Sequence, residues 1–203
     1  MATRRRSRRT RQPPDDRKAR ILEAAKALFA EHGTGEVTTA AIARQAGVSE
    51  GLIFHHFGSK RNLLAEIAAS YGHGVATAMF SEIHPGKRPD VHAMVRHTFD
   101  YVAEHGKMHD LLAMSADPAD WNAALHANRG VIIAALSQAF SQWAEAGWIE
   151  TERPDIAAAL MFGLVESALT DCFVRGHEER LDDYVDECVA CIEGALGYEG
   201  PDA

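Results

Sequence analysis

The stretch from Thr38 to Leu64, TTAAIARQAGVSEGLIFHHFGSKRNLL, decides the fold of this chain. Its first half is a short apolar segment that ends in Ala46-Gly47, a small residue and a glycine that allow two helices to cross closely. Val48 then packs in the angle between them, and Ser49 is a residue type that caps the start of a helix. The pattern therefore predicts a helix-turn-helix, with a second helix whose outer face is free to contact a partner.

Apolar residues at helical spacing predict further helices on both sides of this stretch. The first helix begins near Asp16 and ends in residues 32–35, where Gly33 suits a left-handed backbone position. Thr38 or Thr39 caps the second helix, which ends at Ala46. The other helices are predicted at about 49–56, 60–81, 91–113, 120–146, 155–176 and 180–196. Because no alternating strand pattern bounded by turns is present in the sequence, the chain is predicted to be all-α.

The net charge of −8 over 203 residues conceals two regions of opposite sign. Residues 1–62 contain 13 Lys/Arg and 6 Asp/Glu, whereas residues 63–203 contain 8 Lys/Arg and 23 Asp/Glu. A basic surface attracts the phosphates of nucleic acid, and an acidic surface repels them. The charge distribution therefore predicts nucleic-acid binding at the N-terminal end alone.

Three regions are predicted along the chain. Residues 1–14, MATRRRSRRTRQPP, contain six arginines and almost no apolar residue, so we expect a disordered tail. Residues 15–61 are predicted to form the helix-turn-helix domain, and residues 62–203 a larger helical domain. Two interpretations of the tail stay open: an arm that contacts DNA, or a segment that only improves solubility.

The composition also indicates a compartment and excludes some classes of protein. The three cysteines are an odd number, which argues against a disulfide framework. No apolar segment follows the Arg-rich N-terminus, and no run of 18 apolar residues is present, so we expect a cytoplasmic protein without a secretory signal or a membrane helix. No Gly-rich phosphate loop, HExxH or nucleophile elbow is found, so an enzyme is not expected; a helical enzyme would have only dispersed acidic and His residues.

Two sequence features resemble parts of metal sites. Cys188-x-x-Cys191 has the spacing of half a zinc site, but it lies in an apolar segment where small cysteines suit helix packing. His105 and His109 stand one helical turn apart, yet eleven histidines make such a pair easy by chance. We interpret both as structural and expect no metal and no cofactor.

The quoted stretch resembles the N-terminal domain of TetR-family (tetracycline-repressor-like) regulators, whose pattern is T-T-x-x-I-A-x-x-A-G-V-S-x-G-x-x-Y-x-H-F-x-x-K-x-x-L. The preceding helix, ILEAAKALFAEHG, fits the family as well. The matching residues are Thr38, Thr39, Ile42, Ala43, Ala46, Gly47, Val48, Ser49, Gly51, His56, Phe57, Lys60 and Leu63. The resemblance implies an all-α fold, with an N-terminal three-helix helix-turn-helix domain and a larger helical domain for ligand binding and dimerisation.

The resemblance also implies which residues contact DNA. Thr39 and Lys60 would bind backbone phosphates at the starts of their helices, and Gly51 would let the second helix approach the DNA closely. Polar side chains on that helix can reach base edges in the major groove. The predicted DNA-binding residues are Thr39, Arg44, Ser49, Glu50, Gly51, Leu52, Phe54, His55, His56 and Lys60.

For four of these residues the sequence says more about the contact that each could make with DNA. Phe54 stands where the family usually has Tyr, so it cannot donate a hydrogen bond to phosphate, and an apolar contact, such as one with a thymine methyl, is what it can offer. Arg44 can supply a compensating phosphate contact. Glu50 is unfavourable beside phosphates unless it accepts a hydrogen bond from cytosine N4. For Lys60, a phosphate contact and a solvated side chain are equally compatible with the sequence.

The large apolar residues of the C-terminal domain either fill its core or line a ligand cavity, because flexible Met and flat aromatic side chains suit both roles. The candidates for a cavity wall are Met79, Phe80, Met94, Phe99, Met108, Met114, Trp121, Leu125, Phe140, Trp143, Met161 and Phe162. The last two predicted helices are apolar on one broad face and rich in Gly and Ala. In the family the equivalent pair forms the four-helix bundle of a homodimer, while a purely intramolecular core is the other interpretation.

Together, the residues and the resemblance predict a homodimeric, sequence-specific DNA-binding transcriptional regulator. We expect a repressor that a small apolar or amphipathic ligand releases from a palindromic operator. The alternative is an architectural or interaction protein that binds DNA constitutively and has no ligand.

Overall fold

A computed structural model describes residues 14–106 and 118–201, and the structural statements below concern those residues. In this part of the chain there are eight α-helices and no strand, so the predicted all-α class is confirmed. The helices are α1 (Pro14–Glu36), α2 (Thr39–Ala46), α3 (Glu50–Phe57), α4 (Lys60–Met79), α5 (Val91–Glu104), α6 (Pro118–Glu145), α7 (Pro154–Leu169) and α8 (Leu181–Leu196). The predicted N-terminal tail, apart from residue 14, lies outside the described residues.

Capping residues set the ends of the short N-terminal helices. The Thr38 side chain accepts a hydrogen bond from the Ala41 amide at 3.2 Å, so Thr38 rather than Thr39 caps α2. Gly47 ends α2 in the left-handed conformation, with φ 65° and ψ 37°, which costs glycine little. Gly33 interrupts α1 with φ 75° and ψ 164°. The positive φ suits glycine as expected, but the ψ lies outside the left-handed helical region, and helical residues continue to Glu36 instead of ending in residues 32–35.

Two of the later helices end before the predicted residue, one of them where the backbone changes from α-helical to π-helical. The helix predicted to reach residue 176 is α-helical to Leu169 and continues as one π-helical turn, Thr170–Val174. A short 3₁₀ turn, Glu178–Arg180, then leads into α8. Helix α4 ends at Met79, two residues before the predicted end.

Helix α4 belongs to both halves of the molecule. Its first turns bury Leu63, Leu64 and Ile67, and the helix contacts α1 and α3. Its later turns bury Tyr71 and Val75 and contact α5 and α6. It packs along α6 over much of its length. Because α4 crosses residues 61 and 62, where the sequence placed a domain boundary, that division of the chain stays a prediction.

Helix α7 and the π-helical turn after it carry an unusually apolar surface. The segment Pro154–Val174 contains an 18-residue stretch with a mean hydropathy of 1.6 and is long and apolar enough, by length and composition alone, to cross a membrane. The search for 18 unbroken apolar residues missed this helix because a few polar residues interrupt it. Only 22% of the 18-residue stretch is buried within the chain, and Ile156 and Leu160 are exposed on the helix.

Two of the three cysteines of the C-terminal half are packed inside the chain. Cys172 and Cys188 are buried, Cys191 is exposed, and all three are free thiols. Burial raises the pKa of the Cys188 thiol to about 11, which keeps it protonated near neutral pH. Among residues 14–106 and 118–201, no three His, Cys, Asp or Glu side chains are grouped as metal ligands. His105 stacks on Tyr101, and His109 lies outside the described residues.

Candidate functional site

The second helix of the helix-turn-helix, α3, is held by one face and open on the other. Ile53 and Phe57 are buried in the N-terminal core, with 0% and 6% of their surface exposed. On the outer face, Phe54 is 49% exposed, an unusual position for a large aromatic side chain. His55 beside it is exposed too. The helix therefore presents one aromatic and one imidazole ring to whatever lies against this face.

The start of α3 is polar and solvent-exposed. Ser49 occupies the N-cap position but makes no side-chain capping bond, so its hydroxyl is not committed to the helix end. Gly51 is exposed, and nothing lies within 4 Å of where its Cβ would be. Leu52 and His56 are half-buried at the flanks of the exposed face. This arrangement leaves room for a second macromolecule to approach the first turn of α3 closely.

Glu50 forms a contact with α2 that the sequence did not indicate. The Thr39 hydroxyl donates a hydrogen bond of 2.6 Å to Oε1 of Glu50. The bond joins the first turn of α2 to the first turn of α3, and both side chains lie at the surface. In this structure the proposed phosphate-binding hydroxyl of Thr39 is therefore engaged with a carboxylate. The second oxygen of that carboxylate can still accept another hydrogen bond.

Lys60 is neither a solvated lysine nor an isolated cation. Its Nζ donates to the backbone oxygens of Thr34 at 2.8 Å and Val37 at 3.1 Å, which fixes the start of α4 to the last turn of α1 and to the segment before α2. An ammonium group has three N–H donors, so one is left for a phosphate. Local sequence patterns could not reveal this contact, because Thr34 and Lys60 are 26 residues apart.

Two basic residues of α1 complete the support of the helix-turn-helix. The Arg20 guanidinium donates to the backbone oxygen of Ala46, at the end of α2, and packs over Gly47. A positive charge at a helix C-terminus is favourable because it faces the negative end of the helix dipole. Lys18 pairs with Glu66 and lies 5.8 Å from the centroid of the Phe57 ring. Neither residue was predicted from the sequence, since nothing in the spacing of α1 marks these contacts.

Arg44 is exposed in the last turn of α2 and is a candidate phosphate ligand. We expect Arg44→Ala to weaken binding to specific and random DNA by similar factors, because an interaction with phosphate carries no base information. The slope of log K against log salt should flatten by about one unit for each phosphate that the arginine neutralises. Binding titrations at several salt concentrations measure both quantities.

The matched control for Arg44→Ala is Arg153→Ala, which removes an exposed arginine that pairs with Asp155 at the start of α7. This variant should keep the salt slope of the unmodified protein. A slope that is unchanged in Arg44→Ala would place Arg44 away from the DNA.

A cavity of about 90 Å³ lies among the C-terminal helices. Of the apolar residues predicted for a cavity wall, the structure places these in it: Met79, Met94, Phe140, Trp143, Met161 and Phe162. Phe99 is instead fully buried in the core, and Phe80 and Leu125 are half-buried away from the wall. Met108, Met114 and the Trp121 side chain lie outside the described part of the structure.

On its helices the wall has four side chains with polar groups that were not predicted from the sequence: Tyr71, Thr98, Asn128 and Glu166. Each is a single polar residue on a largely apolar helix face, which in a sequence looks the same as a solvent-exposed position. No periodicity distinguishes the two cases. They became recognisable only when the fold placed them beside the same cavity.

Comparison with protein families identifies the N-terminal part of the chain. Residues 21–67 match the family described as "Bacterial regulatory proteins, tetR family". The transcriptional repressor AcnR from Corynebacterium glutamicum is 44% identical over 55 residues, which cover 27% of this chain and 29% of that protein. The repressor KstR2 from Mycobacterium tuberculosis is 37% identical over 57 residues, 28% of each chain. The chain therefore aligns with less than a third of the length of these relatives.

Solved structures extend the likeness in fold to most of the chain. A regulator from Syntrophomonas wolfei described as a putative TetR-family protein has a TM-score of 0.73 at 15% identity and covers 91% of this chain and 98% of its own. Salmonella enterica GusR has a TM-score of 0.71 at 23% identity, with 92% and 98% covered. A complex of SmeT with triclosan has a TM-score of 0.66 at 21% identity, with 88% and 90% covered. At these identities the likeness shows a shared fold.

Proposed function

We propose that this chain, which belongs to the tetR family of bacterial regulatory proteins through residues 21–67, is a homodimeric transcriptional repressor that a small molecule releases from DNA. The observation that carries the proposal is the face of α3. Ile53 and Phe57 anchor the helix inward, while Ser49, Phe54 and His55 face solvent. A helix held in this way can enter the major groove and offer polar and apolar groups to base edges. As a regulator of bacterial genes, the protein would act in the cytoplasm.

Contacts on either side of α3 would fix its position on the DNA backbone. Arg44 at the end of α2 is exposed, and Lys60 at the start of α4 has one N–H donor left after binding two carbonyl oxygens. Phosphate contacts of this kind set register and orientation, and base contacts set sequence preference. We assign base recognition to Ser49 and His55, together with the second oxygen of the Glu50 carboxylate.

The surface of α7 supports a homodimer formed through the last two helices. Leu160 is 63% exposed and Ile156 is 45% exposed, one helical turn apart on the same face. Nothing lies within 4 Å of where a Cβ at Gly163 would be, so a second helix can approach this face closely. A twofold axis here would bring the same surface of two protomers together and place two copies of α3 on a palindromic site.

Release by a ligand is supported by the course of α4, which joins the DNA-contacting half to the cavity. Tyr71, Val75 and Met79 of α4 line the cavity, and Lys60 of the same helix contacts the segment before α2. A ligand that prefers one position of α4 would shift the population of DNA-binding and released states by its difference in affinity for the two. SmeT, a protein of the same fold, has been solved in complex with triclosan.

Selection from a randomised palindromic DNA library tests the proposal. The purified protein should enrich one motif at moderate salt, and His55→Ala should change the preferred bases more than it changes the affinity for random DNA. Recovery of no motif by the unmodified protein would contradict sequence-specific binding. An identical motif with uniformly lower affinity in His55→Ala would make His55 a backbone contact.

Phe54→Tyr restores the hydroxyl that the family usually has at this position. We expect it to raise affinity for specific and random DNA alike by about two- to ten-fold, the value of one hydrogen bond to phosphate. Because the ring is half-exposed, the thermal unfolding temperature should not change. Fluorescence anisotropy at one fixed salt concentration measures the effect. An affinity that is unchanged or lower would show that this ring does not face a phosphate.

A further inference from the structure

The lining of the cavity extends along α6. On α6 its wall is a stripe of one helix face, formed by Asn128, Ile132, Leu136, Phe140 and Trp143. From Asn128 to Trp143 the fifteen steps at about 1.5 Å rise span about 22 Å. The cavity volume of about 90 Å³ is less than the roughly 150 Å³ of a compact cavity that holds one benzene ring, so the cavity must widen to admit a larger ligand. An unbranched chain that follows the stripe separates the helices less at each point than a fused ring system does.

The charge in the cavity wall is negative. Among the wall residues that the structure describes, Glu166 is the one charged side chain. Arg129 is not part of the wall: its guanidinium lies 3.5 Å from a Glu166 oxygen and 5.0 Å from the centroid of the Phe162 ring. The distance of 3.5 Å is longer than a charge-assisted hydrogen bond of about 2.8 Å. An anionic ligand would thus meet a carboxylate in the cavity, and a cationic ligand would meet a partner.

Two acceptors of the cavity wall, the Glu166 carboxylate and Oδ1 of Asn128, can take a further N–H donor; the Glu166 side chain is 30% exposed and pairs with Arg129. Desolvation raises the pKa of Glu166 above its ordinary value, and the attraction of Arg129 lowers it by less. The Oδ1 atom of Asn128 is buried and accepts no hydrogen bond from the described residues. Asn128 is the neighbour of Arg129 in α6, and the Arg129 contact places Glu166 near this end of the helix. An N–H donor that carries positive charge would satisfy both groups.

The opposite end of the cavity is apolar. Phe140, Trp143 and Ile149 form this end, together with Tyr198. The Tyr198 hydroxyl donates to the backbone oxygen of Pro89, so its polar atom is already used and its ring faces the cavity. A ligand with one polar head and one apolar tail therefore has a single preferred direction in this cavity.

We propose that the cavity binds a slender aliphatic amine in its protonated form. The ammonium group lies beside Glu166 and Asn128, donating N–H bonds to both, and the alkyl chain runs along the α6 stripe towards Trp143. This inference rests on the proposed function, which makes the cavity the site where the releasing ligand binds. It adds the chemical class of that ligand.

Calorimetric titration of the purified protein, without DNA, tests the class of head group. The probes are decylamine, decan-1-ol and decanoate, each below the concentration at which it forms micelles. Decylamine should bind about ten-fold or more tightly than decan-1-ol, because a hydrogen-bonded charge pair is formed, and decanoate should bind most weakly. Equal affinities for the amine and the alcohol, or preference for decanoate, would overturn the proposal.

The shape of the ligand is tested with 1-adamantanamine, which has the same number of carbons and the same head group as decylamine but a compact cage. We expect it to bind at least roughly ten-fold more weakly, since a compact cage must separate the helices further at one point than a chain lying along the α6 stripe does. Equal binding of the two amines would overturn the narrow-chain part of the proposal. Both titrations use the unmodified protein and therefore do not depend on the folding of a variant.

Glu166→Gln removes the charge and keeps the size of the side chain. The preference for decylamine over decan-1-ol should disappear, while the affinity for decan-1-ol stays within about two-fold. Glu145→Gln, the same change at an exposed position at the end of α6, should keep the preference of the unmodified protein. Retention of the amine preference in Glu166→Gln would show that another group binds the ammonium.

The two proposals can fail separately. Amine binding without enrichment of a DNA motif would support the ligand class and contradict the proposed regulator. Enrichment of a motif without amine binding would support the regulator and overturn this inference. If both succeed, decylamine should lower the affinity for the enriched DNA, and Glu166→Gln should lose that response to the amine.

Discussion

Gly72→Ala is expected to lower the free energy of unfolding by about 1–3 kcal/mol, although alanine is a better helix former than glycine by about 1 kcal/mol. A Cβ at Gly72 would lie 2.7 Å from Oδ1 of Asn128 and 2.9 Å from the backbone oxygen of the same residue. The backbone oxygen cannot swing aside as a side chain can. The added methyl group must therefore push α4 and α6 apart where the two helices approach each other.

Gly130→Ala is the matched control on α6. Nothing lies within 4 Å of a Cβ at this exposed position, so the same substitution should raise the free energy of unfolding by about 1 kcal/mol. Urea denaturation measures both, and the two variants should shift the midpoint in opposite directions at an unchanged m-value. Stabilisation by both would mean that α4 and α6 do not approach as closely as described.

Leu160→Glu is expected to convert the proposed dimer to monomers and to remove binding to a palindromic site. Leu160 is 63% exposed in the single chain, so the substitution should leave the fold of each protomer intact. Across a twofold axis it would bring two like charges to a buried apolar surface. We expect the dimer dissociation constant to rise by roughly a hundred-fold or more, as for a central interface residue. Analytical ultracentrifugation and titration with palindromic DNA measure the two effects.

Ala134→Glu provides the control for Leu160→Glu. It adds the same charge to an exposed position on α6, outside the apolar face of α7, and should leave both the dimer and DNA binding unchanged. If Leu160→Glu sediments as a dimer and binds palindromic DNA normally, the homodimer is not formed through α7.

The sequence was most informative where local rules determine the structure. The start of α2 at Thr38 or Thr39 and its end before Gly47 could be predicted, because a capping hydroxyl and a turn glycine act within a few residues of their own position; the structure selects Thr38. The buried and exposed faces of α3 followed from helical periodicity in the same way. These features identify the helix-turn-helix and its outer face without knowledge of the rest of the chain.

Features that depend on distant contacts could not be predicted. The bonds from Lys60 to the carbonyl oxygens of Thr34 and Val37 join segments more than twenty residues apart. Phe99 and Phe140 are both aromatic residues on apolar helix faces, yet one fills the core and the other lines the cavity. Their difference is decided by how the surrounding helices pack together, and single-helix patterns contain no information on that packing.

The anchoring of Lys60 has a mechanical consequence. Helix α4 has 20 residues and is about 30 Å long, so a small tilt about its cavity end becomes a larger displacement at its first turn. A loose joint between α4 and the preceding helices would absorb that displacement. The ammonium group of Lys60 ties the start of α4 to Thr34 and Val37, so we expect α1 to α3 to move with α4. In the proposed dimer, a tilt of α4 would then alter the distance between the two copies of α3 while leaving the shape of each unchanged.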